Sequence, residues 1–213
     1  IVMGQPKVWQ MIVYYSILAI GILVIGRSGK RKRRKVLFGT LCASLSFAVF
    51  LMAYRPAGNL TVTMLVVGQG DSIFLRGPKG NTCLIDGGSS DVEELGKYRM
   101  EPFLKSQGVA SLDYVFVTHG DTDHYSGIEE MIKRQDMGVE IRQLVFPSNW
   151  KKDDALVELA KTAQKAGVPI VMIESGKCIT EGNLQIECIQ PSTSDYHLNG
   201  NAGSLVLSVT FGE

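Results

Sequence analysis

The stretch Thr118-His119-Gly120-Asp121-Thr122-Asp123-His124-Tyr125-Ser126-Gly127 places four potential metal ligands, His119, Asp121, Asp123 and His124, within six residues. The run before it, Tyr114–Thr118 (YVFVT), has the apolar, β-branched and aromatic character of a short buried strand. After it, residues 124–135 carry Ile128, Met131 and Ile132 at helical spacing. A strand end that feeds a helix start is a rigid place for a site. In an extended loop His119 and Asp121 point to the same side, while Asp123 and His124 at the helix start can face a second ion. Imidazole with carboxylate is the donor set of hydrolytic divalent metals. The competing reading is an Asp-rich loop with an N-cap Asp and two incidental histidines. The chain has only three histidines, and two of them fall in this ten-residue window, which favours the metal.

Outward from this loop the pattern is that of an α/β layered domain. Leu60–Val67, Ser72–Arg76 and Thr82–Asp86 read as strands, separated by the Gly68-Gln69-Gly70-Asp71 turn and the Gly77–Asn81 loop. Residues 91–107 are polar with helical character, with Pro102 starting or kinking the second half and Gly108 ending it. Ile141–Phe146 reads as one strand. Residues 153–166 form the cleanest helix, with Asp153 and Asp154 at its start and Leu156, Leu159, Ala160 and Ala163 as its apolar stripe. Pro169–Ile173, Leu184–Ile189 and Ser204–Phe211 complete the strands. A hairpin-led sheet followed by βαβα alternation is an α/β arrangement.

The charge separates this domain from what precedes it. The 213 residues hold 22 Lys and Arg against 21 Asp and Glu, a formal net charge of +1. Residues 1–56 contain nine cations and no acid, so residues 57–213 carry a net charge of −8. Two apolar runs of 19 residues, 8–26 and 36–54, flank the basic loop 27–35 (RSGKRKRRK). A 19-residue helix is about 28 Å long, close to the hydrocarbon thickness of a bilayer. Both runs are therefore expected to span a membrane, with the basic loop cytoplasmic and residues 57–213 outside. Trp9, Tyr14, Tyr15 and Tyr54 sit near the expected outer interface. Arg55-Pro56-Ala57-Gly58-Asn59 reads as the linker. Four cysteines exclude a disulfide-dense scaffold, and Cys83, Cys178 and Cys188 show no metal or catalytic spacing.

The metal loop resembles the H-x-H-x-D-H signature of the metallo-β-lactamase superfamily, with Asp121 in place of the second His. The resemblance implies an αββα layered fold, here incomplete, with His119 and Asp121 on one ion and Asp123 and His124 on the other. It also implies that Asp86, at a strand end before Gly87-Gly88, supports the site. Val67-Gly68-Gln69-Gly70-Asp71-Ser72, Leu84-Ile85-Asp86-Gly87-Gly88 and the T-H-x-D-x-D-H-x-x-G loop together are similar to the C-terminal domain of ComEC-type competence membrane proteins. That resemblance implies a bacterial multi-pass membrane protein of DNA uptake. Its implied partners are DNA, membrane lipids, the rest of the channel protein and other DNA-uptake proteins.

The resemblance further implies two-metal hydrolysis of a phosphodiester, with Asp86 and Asp123 as catalytic residues. An oxygen donor at Asp121 hardens the site and favours Mn²⁺, with Zn²⁺ or Mg²⁺ as alternatives, one or two ions per intact domain. Asn201-Ala202-Gly203-Ser204-Leu205-Val206-Leu207 matches the family's N-x-x-S-L-V-L segment. Gln69, Asp71, Asn201 and Ser204 are candidates to line the site, although simple turn chemistry explains Gln69-Gly70-Asp71 equally well. His197 is a weak candidate for a third ligand and is better read as a loop histidine. The family's later ligands would follow residue 213, so the chain is expected to be a piece of a longer protein and, alone, a poor hydrolase. The functions left open are a DNA-processing hydrolase domain, a non-catalytic domain that guides DNA or shapes the channel, and a membrane-anchored hydrolase of small molecules.

Overall fold

The computed structural model describes all residues except Ile1, Met3, Ser28, Gly29, residues 54–57, Tyr196, Asn199 and Glu213, and leaves out the side chains of residues 30–34, 51–53 and 193. The chain divides into two compact units, residues 3–56 and the remainder from residue 57 onward.

The first unit is a pair of helices, α1 (Val8–Arg27) and α2 (Lys30–Ala53). Both expose large apolar side chains, among them Ile12, Ile20, Leu23, Phe38, Leu41 and Leu45. A helix apolar all round belongs in a protein core or a membrane. Gly21 lies against the methyl of Thr40, where any larger side chain would collide, so a small residue permits the close approach of the two helices. Among the described residues α1 is the one helix long and apolar enough to cross a membrane. The second expected span, 36–54, corresponds to a shorter apolar stretch, Lys35–Phe50, within α2. The expected basic loop 27–35 is corrected from Lys30 onward, because α2 begins there. Lys and Arg are good helix formers, and propensity outweighs the unfavourable placement of cations at a helix N-terminus. Tyr54 and most of the expected linker lie outside the described residues.

The second unit is built on a six-stranded sheet. Its strands are β1 (Thr61–Met64), β2 (Ile73–Arg76), β3 (Thr82–Ile85), β5 (Tyr114–Phe116), β7 (Leu144–Pro147) and β8 (Ile170–Ile173), adjacent in that order. The first three pair antiparallel, and β3, β5, β7 and β8 run parallel. Parallel neighbours need crossovers, which are supplied by helices. They are α3 (Glu101–Ser106, entered through a π-turn at Gly96–Met100), α4 (Thr122–Lys133) and α5 (Asp154–Lys165). Their apolar faces, with Leu104, Ile128, Met131, Leu156, Leu159 and Ala163, meet Phe74, Leu84, Val115, Leu144 and Phe146 of the sheet in one core.

The opposite face of the sheet packs on a second, three-stranded antiparallel sheet of β9 (Cys178–Glu181), β10 (Leu184–Gln190) and β11 (Val206–Phe211). Leu184, Ile186 and Cys188 are buried, while Gln185 and Ile189 are exposed and Glu187 is half-buried. This two-residue alternation gives β10 one face toward Leu75, Cys83, Phe116 and Val145. The described residues thus form a helix layer and two sheets, three of the four layers of the expected αββα fold. Strand β1 stops at Met64, short of the expected Val67, β11 starts two residues after the expected Ser204, and α4 runs two residues earlier than expected at each end. The run Ile141–Phe146 is two strands, because β6 (Glu140–Ile141) pairs with β4 (Ser111–Leu112) while β7 joins the main sheet. Cys178–Glu181 is a strand although its short polar pattern gave no signal. All four cysteines are free, with Cys83 and Cys188 buried.

Candidate metal centre

The metal loop leaves the carboxyl end of β5, beside the carboxyl end of β3, where open parallel sheets bind ligands. Asp86 follows β3 with φ of 56°, a left-handed conformation uncommon for a non-glycine residue. That turn aims its carboxylate across to β5. Oδ1 accepts from the amide of Thr118 at 2.8 Å, and Oδ2 accepts from the Thr118 hydroxyl at 2.8 Å. The same Oδ2 lies 2.8 Å from Nδ1 of His124. Asp86 therefore binds strand end and helix start together.

Thr118 has one hydroxyl proton, which it donates to Asp86. Its oxygen can then accept from Nδ1 of His119 at 2.9 Å. With His124 donating from Nδ1 to Asp86, both rings are assigned as Nδ1–H tautomers that present Nε2. Second contacts of this kind orient metal-bound histidines. The two ring centroids are 4.0 Å apart. Nε2 of His119 lies 3.2 Å from Asp121 Oδ2, and Nε2 of His124 lies 3.8 Å from Asp123 Oδ2. Two acceptors facing each other without a proton repel, and a bound cation removes that repulsion. The donor set thus fits divalent metal in kind, arranged as two pairs. Among the described residues no three His, Cys, Asp or Glu side chains are grouped to hold a single ion. The hydrogen bond that His124 donates to Asp86 raises the pKa of His124 above the ordinary imidazole value, against the opposing effect of partial burial.

The rings are shielded and the carboxylates open. The side chains of His119 and Asp86 are each 6% exposed, against 53% for Asp121 and 40% for Asp123. The site therefore opens on its carboxylate side.

The glycine-rich turns press against the backbone of this loop. A Cβ on Gly88 would fall on the Asp123–His124 peptide, and one on Gly70 would strike the carbonyls of Gly88 and Asp123. The amide of Asp71 donates to the Asp123 carbonyl at 3.2 Å, and that of Gly87 to the His124 carbonyl at 2.8 Å. The Gly68–Asp71 turn is thus a wall of the site, and Asp71 is near enough to His124 to raise its pKa by charge. The side-chain oxygen of Gln69 accepts from the Ser90 hydroxyl at 3.3 Å.

Of the remaining candidates, Ser204 is brought to the site's edge, because the next amide, Leu205, donates to the Thr118 carbonyl at 2.9 Å. Asn201 is exposed, and its backbone carbonyl accepts from the Ser204 amide at 3.4 Å. His197 is exposed, with Nδ1 2.9 Å from the Ser194 carbonyl, and belongs to its own loop. Three residues support the site in ways that sequence reasoning missed in whole or in part. Thr118 joins His119 to Asp86. Buried Asn149 donates from Nδ2 to the carbonyls of Leu198 and Gly203, both at 3.0 Å, and so holds the segment that carries Asn201 and Ser204. Asp153 was legible as a helix cap, but its second contact, to Gly120, was not.

The family model that matches this chain is the metallo-beta-lactamase superfamily, over residues 65–206, which includes every residue of the metal loop. The chain belongs to that superfamily. Within it, the chain is similar to ComE operon protein 3 of Bacillus subtilis, a ComEC-family protein, 24% identical over 210 residues. The match covers 92% of this chain and 26% of that protein, so the chain spans about a quarter of the relative's length. Among solved structures, the metallo-beta-lactamase fold protein YhfI of B. subtilis aligns with a TM-score of 0.44 at 17% identity, over 70% of this chain and 58% of that one. CmlA, a diiron β-hydroxylase from Streptomyces venezuelae, aligns with a TM-score of 0.44 at 14% identity, over 84% of this chain and 34% of that one. Superfamily membership makes divalent metal the general expectation for the site and leaves the metal's identity open.

Proposed function

We propose that this chain is part of a bacterial DNA-uptake membrane protein, and that its superfamily domain hydrolyses DNA phosphodiester bonds with divalent metal. The observation that carries this reading is the pair of imidazoles held through Nδ1 by Thr118 and Asp86, each with Nε2 beside a carboxylate. Similarity to ComE operon protein 3 supports the competence setting. His119 and Asp121 would hold one ion, Asp123 and His124 the other, and Mn²⁺ suits the oxygen-richer first pair. Such ions, when bound, supply Lewis-acid stabilisation of a phosphoryl group and a readily deprotonated water. Asp86 keeps His124 oriented, and the Gly70 and Gly88 turns fix the loop's backbone. The helices α1 and α2 would span the cell membrane as part of a multi-pass protein, with the basic segment 27–35 cytoplasmic and residues 57–213 outside. DNA, membrane lipids, the rest of the channel protein and other DNA-uptake proteins are the partners.

A second reading, a non-catalytic DNA-guiding domain, is favoured by the donors pairing off without three meeting at one point. A Mn²⁺-dependent nuclease assay on the longer parent protein, wild type against Asp123→Ala, separates the two. Cleavage by the wild type that falls to background in the variant supports hydrolysis. Absence of metal-dependent cleavage, or cleavage indifferent to Asp123, sinks it.

A further inference from the structure

We propose that Asp153, far from the ligand loop in sequence, is a positioning residue for it. The proposal rests on the metal reading of His119 and Asp121. Oδ2 of Asp153 accepts from the amide of Gly120 at 2.9 Å, and Gly120 is the residue between the two ligands of the first pair. Oδ1 of the same carboxylate accepts from the amides of Ala155 and Leu156 at 3.1 and 3.3 Å, capping α5. One carboxylate therefore fastens the backbone between two ligands to the start of a helix whose apolar stripe is locked in the core.

The contact requires the neighbouring sequence as well. A Cβ at Gly120 would overlap the Asp153 carboxylate, so only glycine lets the amide come this close. The ring of His119 is held by Thr118, whereas Asp121 is exposed and its carboxylate meets the His119 ring at 3.2 Å. Fixing the Gly120 peptide restricts the two backbone angles on each side of it, which set the separation of His119 Nε2 from Asp121 Oδ2. A capping role alone would need one carboxylate oxygen; the second is committed to the ligand loop.

The test uses the full 213-residue chain in detergent, with Asp153→Asn and Asp153→Ser. Both replacements are good N-caps, so α5 and the thermal midpoint stay near wild type. Ser cannot reach Gly120, and Asn has only one acceptor oxygen for two sets of donors. Hydrogen exchange at the Gly120 amide should accelerate about tenfold with the loss of one hydrogen bond. Mn²⁺ affinity, read from the free-ion electron paramagnetic resonance signal, should fall about tenfold or more, as for other supports of metal ligands. Glu158→Gln, on the exposed side of α5, should change neither reading. If both Asp153 variants keep wild-type Gly120 exchange or wild-type Mn²⁺ affinity, Asp153 is a helix cap only and the proposal is overturned. Failure of the metal reading looks different: the wild type itself would bind no Mn²⁺ while Gly120 still lost protection in the variants.

Discussion

Asp86 and His124 lie 38 residues apart, and Asp86 Oδ2 is 2.8 Å from His124 Nδ1. The contact crosses from the end of β3 to the first turn of α4, and the same carboxylate also holds Thr118. Replacing Asp86 by Ala strands three donors in a largely buried setting. Each stranded donor costs about 1–3 kcal/mol. Urea unfolding of Asp86→Ala should show a large loss, and Mn²⁺ affinity should fall about 10–100-fold. A variant with wild-type stability and affinity would remove Asp86 from the site's support.

Gly88 and Gly70 test the packing of the glycine turns on the ligand loop. Gly88→Ala forces its Cβ onto the Asp123–His124 peptide, where the neighbour is backbone and cannot rotate away. Overpacking of this kind costs about 1–3 kcal/mol. Gly80→Ala is the control for space, since a Cβ there meets nothing within 4 Å. Its φ of 99° still strains alanine, so its loss of stability measures backbone alone. Metal affinity should fall in Gly88→Ala and Gly70→Ala and hold in Gly80→Ala.

Asn149→Ala should free the segment that carries Asn201 and Ser204. Two carbonyls, those of Leu198 and Gly203, lose their donor. Limited proteolysis should cut within residues 198–203 faster than in the wild type, with a stability loss of about 1–3 kcal/mol. Unchanged cleavage would mean that other contacts hold this segment.

Asp121→His converts the first pair from imidazole and carboxylate to two imidazoles. Softer donors favour Zn²⁺ over Mn²⁺. Competition titrations should therefore move toward Zn²⁺ relative to the wild type. An unmoved preference would show that Asp121 does not touch the ion.

Burial, with the nearby charges of Asp113 and Glu181, pushes the Cys83 thiol from its usual 9.0 up to about 12. Cys188 is raised to about 11, first by burial. Below pH 9 both folded and unfolded thiols are protonated and nothing is gained or lost. As pH rises from 9 toward the folded values, only the unfolded thiols ionise and stability declines, by up to about 1.4 kcal/mol per pH unit for each thiol. Cys83→Ala should flatten that alkaline decline even if its baseline stability is lower. Alkylation of the native chain at pH 8 should mark exposed Cys178 well before Cys83 or Cys188; equal rates would contradict their burial.

The ligand loop was legible because it is local. His119, Asp121, Asp123 and His124 fall within six residues of chain, and a strand run before them with a 3.6-period stripe after them announces the geometry. Helix α5 was legible for the same reason, since its cap and apolar stripe lie within a dozen residues. The split of 141–146 into two strands was not, because Glu140–Ile141 and Leu144–Pro147 differ only in which distant strand they pair with. Strand β9 was missed because it is held by register against β10, with little apolar pattern of its own.

By itself the sequence determined the α/β class, the superfamily, the strongly unequal charge of the two units and the candidate ligand set. These depend on composition, periodicity and short spacings, which the chain carries without folding. Only the tertiary structure decided that the Gly70 and Gly88 turns wall the loop, that Asn149 holds the Ser204 segment and that Asp153 reaches Gly120. Those relationships join residues 33 to 54 positions apart, as in Asp153 with Gly120 and Asn149 with Gly203. A hydrogen bond of 3 Å between such positions is created by the packing of β3, β5, β7 and α5 into one core, and no local pattern encodes it.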